Sequence, residues 1–164
     1  MNHPDYYQTM AQYNQWINEK IYDVCATIPD ETRKADLGAF FKSIHRTLNH
    51  LLYGDRAWLG RLTNQPFYVK NLRQFMYDDF AVLKQEREKC DRELLDWTKT
   101  LTTDWLNQPF SYTSNIDQKT RILPTWLLVT HLFNHQTHHR GQITTLLSQL
   151  GHDPGITDLP WMPY

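Results

Sequence analysis

The chain has 164 residues, 40% of them hydrophobic and 13% aromatic, with six tryptophans. That is the size of one domain spanning 1–164, with enough apolar material to fold around a core. A net charge of −1 leaves no electrostatic footprint for nucleic acid, and no apolar run is long enough to cross a membrane.

The opening MNHPDYYQTM lacks the charged-then-apolar layout of a secretory leader. Cys25 and Cys90 form neither a disulfide framework nor a CxxC pair, so a reducing cytoplasm is the expected location. Residues 5–28 predict a first helix, with Met10, Tyr13, Ile17, Ile21, Val24 and Ile28 at helical spacing and Pro29–Asp30 ending it. A charged linker then leads to Asp36, read as the N-cap of a second helix running to about Asn64. Its stripe is Phe40, Ile44, Leu48, Leu51, Asp55, Trp58 and Leu62.

After a connection of about ten residues, Phe80, Leu83, Arg87, Cys90, Leu94, Trp97 and Leu101 predict a third helix from about Phe75 to Leu101. Its face of Lys84, Glu86, Glu88, Lys89 and Glu93 reads as solvated. Residues 105–123 break the rhythm. Alternating and β-branched residues around a polar Asn115–Lys119 turn point to a small hairpin or an irregular crossover. Pro124 suits the first turn of a fourth helix, and Gly151 with Pro154 closes it. The aromatic, proline-rich tail should lie extended across the body. The expected fold class is therefore all-α: a four-helix bundle with a long connection before its last helix, and a cofactor site between facing helices.

The fourth helix carries the chemistry. HLFNHQTHHRGQ holds four of the chain's eight histidines. Positions i and i+4 lie only ~40° apart on a helix, so His131, His135 and His139 form a column beside the apolar stripe, while His138 points elsewhere. An unpaired imidazole facing an interior costs roughly 2–7 kcal/mol. Either carbonyls and hydroxyls satisfy such rings, or one metal ion takes two nitrogens at i, i+4. A third ligand on another helix would decide between these. His3 and His152 fall outside the helical core. His45 and His50, five residues apart, face ~140° away from each other and cannot share a site. His50, with Gly54 leaving room at i+4, is the better candidate on geometry; His45, expected to border the wet side, stays open.

YNQWIN, SIHRTLNHLLYGDRAWLGRL and NHQTHHRGQITTLLSQLG, in that order along three helices, resemble the DinB family of damage-inducible bacterial proteins. The resemblance implies an up-down-down-up bundle, often dimeric, holding a divalent metal on three histidines. The matching positions are His50, His135 and His139. Related bundles include thiol transferases using bacillithiol, mycothiol or glutathione, and a mycothiol-dependent maleylpyruvate isomerase.

Three neutral imidazoles leave a cation its full charge and an open position, the pattern of catalytic rather than structural zinc. Zinc and nickel lead the candidates, with copper and iron behind. A low-molecular-weight thiol loses its proton on coordination and can attack an electrophilic small molecule, which makes an S-transferase the first reading. A hydrolase using activated water, with Asp55 as a nearby base, is the alternative; a non-enzymatic metal-binding stress protein is the other. Among neighbouring residues, Gln142 could hydrogen-bond near the site, Arg140 could meet a substrate carboxylate, a partner subunit or another helix, and Asp55 could orient a ligand or pair with an arginine.

Overall fold

The first helix, α1 (Pro4–Ala26), buries Tyr7, Ala11, Ile17, Ile21, Tyr22 and Cys25 on one stripe, as its period dictates. This is a computed structural model, and it describes residues 4–65, 67, 76–114 and 117–163. In place of the expected charged linker, Asp30–Lys34 form one short helix, α2, after Pro29.

The second long helix, α3 (Ile44–Leu62), starts seven residues later than an N-cap at Asp36 implies. Gly38 (φ +74°) and Lys42 (φ +71°) hold residues 35–43 in a tight loop, and Ser43, not Asp36, is the N-cap. Its Oγ accepts the N–H of Arg46 at 3.1 Å. Phe40, placed on the stripe by spacing, is accordingly 81% exposed. A cap and a left-handed glycine outrank an apolar coincidence.

The third long helix, α4 (Phe80–Thr98), is capped by Asp79, whose Oδ1 accepts the Val82 N–H at 2.9 Å. Residues 76–79 are non-helical; the expected start at Phe75, most of the preceding connection and His3 lie outside the described residues. A short helix, α5 (Thr103–Leu106), then leads to a two-stranded hairpin. Strand β1 (Pro109–Thr113) pairs antiparallel with β2 (Thr120–Pro124), Phe110 opposite Leu123 and Tyr112 opposite Arg121. The hairpin reading holds, although Asn115 and Ile116 of its turn lie outside the described residues.

The last long helix, α6 (Thr125–Gln149), follows Pro124 directly. Gly151 (φ +80°) ends it, with the His152 N–H returning to the Leu147 carbonyl at 2.9 Å. Beyond it the tail lies along α1, where Tyr13 donates to the Thr157 carbonyl at 2.6 Å and Lys20 to that of Ile156.

Contacts between the long helices fix their course. Phe80 stacks on Tyr22 while Asp91 meets Asn14, so α4 runs antiparallel to α1. Asp55 meets Arg87 while His45 meets Tyr77, so α3 and α4 run parallel. Trp58 lies by His131 and His50 by His139, so α3 and α6 are antiparallel. Tyr7 bonds the Trp126 carbonyl and Arg140 bonds Asn14, so α6 runs with α1. The result is an up-down-down-up four-helix bundle around Ile17, Ile21, Leu48, Leu52, Leu83, Leu94, Val129, Ile143 and Leu147. In this arrangement α3 and α6, the two helices bearing the candidate histidines, are neighbours.

Candidate metal centre

His50 projects from α3 toward α6, where His135 and His139 stand one turn apart. The Nε2 atoms of His50 and His135 are 3.0 Å apart. Ring centroids are separated by 5.0 Å for His50–His135, 4.7 Å for His50–His139 and 4.5 Å for His135–His139. One nitrogen from each ring falls within 4.8 Å of the other two, a cluster that could hold a metal ion. Two nitrogens bound to one tetrahedral zinc at about 2.0–2.1 Å would stand roughly 3.3–3.4 Å apart, so the His50–His135 pair at 3.0 Å is within a few tenths of an ångström of that spacing.

The charge state fits as well. Burial, and then the neighbouring His139 ring, pushes His50 down to about 4. Burial and the surrounding rings push His135 down to about 3, and burial also lowers His139. All three are neutral at pH 7, the form in which imidazole is a ligand.

Each ring has its own support. His139 donates from Nδ1 to Gln142 Oε1 at 2.9 Å, which leaves Nε2 as its lone-pair nitrogen. The Gln142 amide also reaches His138 Nε2 at 3.4 Å. His135 occupies a notch at Gly54, where an added Cβ would stand 2.9 Å from Cε1 and 3.2 Å from Nδ1 of the ring. The room that sequence assigns to His50 thus serves His135. Gly54→Ala should gain roughly 0.8–1 kcal/mol of helix propensity. It should also displace His135, so metal titration should show at least tenfold weaker binding while the metal-free protein melts no lower.

Phe41 is the site residue that periodicity concealed. Its ring stacks on His50 (centroids 4.0 Å apart, planes at 26°) and meets His139 edge-on at 5.3 Å. The loop that displaces Phe40 from the stripe delivers Phe41 to the histidines. The available signal was Gly38 with Ser43, a turn residue and a cap bracketing the aromatic pair.

The remaining histidines separate cleanly. His45 is fully buried, not bordering solvent, and its Nε2 lies 3.0 Å from the Tyr77 carbonyl. His131 continues the column, 5.8 Å from His135, and packs on Trp58 at 5.2 Å. Trp58 in turn meets Tyr112 of the hairpin at 5.1 Å. His138 faces a surface cleft of about 390 Å³ between the Leu37–Phe40 loop and α6.

Two residues that sequence offers to the site lie in the bundle core instead. Asp55 is 1% exposed and pairs with Arg87 at 2.7 Å. Arg140 is 4% exposed and donates to Asn14 and Asn18 of α1. Asp55 is thereby removed as a general base, and Arg140 as a contact for a substrate carboxylate. Cys25 and Cys90 are buried and unpaired, and burial pushes both thiols up to about 12, as expected of small core residues.

The family model described as "DinB family" matches residues 1–164. The chain belongs to the DinB family. Protein DinB of Bacillus subtilis (strain 168) is 25% identical over 169 residues, covering 94% of this chain and 91% of that protein. Among solved structures, a DinB-like protein from Bacillus cereus ATCC 10987 superposes with a TM-score of 0.62 at 18% identity, over 86% of this chain and 91% of that one. YfiT from Bacillus subtilis, described as a probable metal-dependent hydrolase with an unusual four-helix bundle topology, gives a TM-score of 0.61 at 14% identity. That match covers 88% of this chain and 87% of YfiT. Both structural likenesses establish the shared DinB-like fold.

Proposed function

We propose that His50, His135 and His139 hold one divalent ion, zinc or nickel, and that this DinB-family protein is a transferase joining a low-molecular-weight thiol to an electrophilic small molecule. The observation that carries the reading is the convergence of three neutral imidazole nitrogens within 4.8 Å. An ion on three neutral ligands keeps its double positive charge and an open position, and so lowers the pKa of a thiol or water bound there.

The chain's own residues do the positioning. Gln142 fixes the His139 tautomer, the Gly54 notch seats His135, and Phe41 covers the His50 ring and turns water from that side. With Asp55 locked to Arg87, that carboxylate is not free to act as a base on water. The description of YfiT as a probable metal-dependent hydrolase supports metal chemistry on this fold and keeps hydrolysis as the second reading. We take the protein to act in a reducing cytoplasm, in keeping with its two buried free thiols, and as the homodimer that the family resemblance implies.

The test is elemental analysis of the purified protein, followed by assays of the zinc- and nickel-loaded forms. Consumption of glutathione or cysteine with epoxides or alkyl halides, lost on chelation, is the expected result. Ester or amide hydrolysis without thiol would establish the second reading. A metal-loaded protein active in neither assay would leave a binding protein.

A further inference from the structure

The residue that follows each α6 histidine of the site is polar and buried: Gln136 after His135 is fully buried, and Arg140 after His139 is 4% exposed. One position on a helix is a rotation of ~100°, so each pair directs an imidazole toward the site and its neighbour into the core. Gln136 donates from Nε2 to the Leu51 carbonyl at 3.1 Å. Leu51 is the residue after His50, so this bond joins the two ligand-bearing helices at the level of the site. Arg140 donates to the Oδ1 atoms of Asn14 and Asn18 on α1.

From there the contacts continue across the bundle. The Asn14 and Asn18 amides donate to Asp91 at 3.1–3.2 Å. Arg87 holds Asp91 at 2.8 Å and Asp55 at 2.7 Å. One polar layer therefore contains residues from all four long helices, with two carboxylates balanced by two guanidiniums.

Such a layer is a poor source of stability, because well-packed apolar side chains of the same volume generally do as well or better. Its distinguishing property is direction. Apolar layers slide by small steps, whereas these bonds fix the height and rotation of α6 against α1 and α3. We infer that Gln136 and Arg140 are positioning residues: by anchoring α6 to α3 and α1, they hold His135 and His139 in register with His50 for the metal ion. The inference rests on the three-histidine metal reading above.

The experiment compares Gln136→Met, Arg140→Met, Arg140→Lys and the core control Leu94→Ala with the parent protein. Co(II) is titrated by its visible d–d absorption, zinc affinity is measured by competition, and melting temperature is recorded without metal. Gln136→Met should bind about 10–100-fold more weakly, the range for residues that support metal ligands, with a shifted Co(II) spectrum and little change in melting temperature. Arg140→Met should do the same with a lower melting temperature, and Arg140→Lys should recover part of the affinity. Leu94→Ala should melt lower with unchanged metal affinity. Affinity and spectrum unchanged in Gln136→Met would overturn the inference even if Arg140→Met fails to fold. A parent protein that takes up no Co(II) would overturn the metal reading itself, and the inference with it.

Discussion

His50→Ala and His135→Ala should each purify with well under one metal ion per chain and an undiminished helical circular dichroism spectrum. The two substitutions remove the same kind of donor from different helices. His50 belongs to α3 and His135 to α6, yet their Nε2 atoms are 3.0 Å apart. Supporting residues around metal ligands typically carry 10–100-fold in affinity, so deleting a ligand outright should cost more than about 100-fold. The fold should tolerate the loss. Both rings are half-buried, and neither belongs to the apolar core of Leu48, Leu52, Leu132 and Leu147. Near-stoichiometric metal in either purified variant would refute the assignment. His45→Ala is the informative contrast: it should keep its metal, because that ring bonds the Tyr77 carbonyl away from the cluster.

Arg87→Met should be the most destabilising substitution in the core. Arg87 is 2% exposed and its guanidinium meets Asp55 and Asp91, which are themselves 1% and 2% exposed. Methionine fills much of the volume but leaves two carboxylates without their cation. Breaking a buried ion pair from one side costs about 3–5 kcal/mol, which for a chain of this size is roughly 6–20 °C in melting temperature. Replacing all three residues together by apolar ones, Asp55→Leu, Arg87→Met and Asp91→Leu, should recover little of that loss, because the Asn14 and Asn18 amides lose their Asp91 acceptor and Arg140 stays buried without a balancing carboxylate. Thermal melts of the single and triple variants check both statements. A single variant as stable as the parent would mean that the three charges are not coupled as their distances imply.

The helices of the bundle were legible in sequence because an apolar residue at every third or fourth position matches the turn of a helix and little else. The period located α1, most of α3 and α4, and α6, and alternation located the hairpin. It failed at residues 36–43, where Phe40 kept the period by coincidence while Gly38 and Ser43 bent and capped the chain. That failure hid Phe41, which only the folded loop brings onto His50.

Sequence by itself offered the candidate ligands: the i, i+4 rotation alone aligns His135 with His139, and the motif resemblance singled out His50 over His45. It could not determine what lay opposite each side chain. Asp55 and Arg87 are both on apolar stripes, and only the parallel packing of α3 with α4 turns them into an ion pair rather than a base and a bystander. Arg140 likewise points to α1, not to a substrate, because α6 runs beside α1. A periodic sequence fixes the face on which a residue lies, since that is a rotation within one helix. The partner it meets depends on the order and direction of helices far apart in the chain, and only tertiary packing sets those.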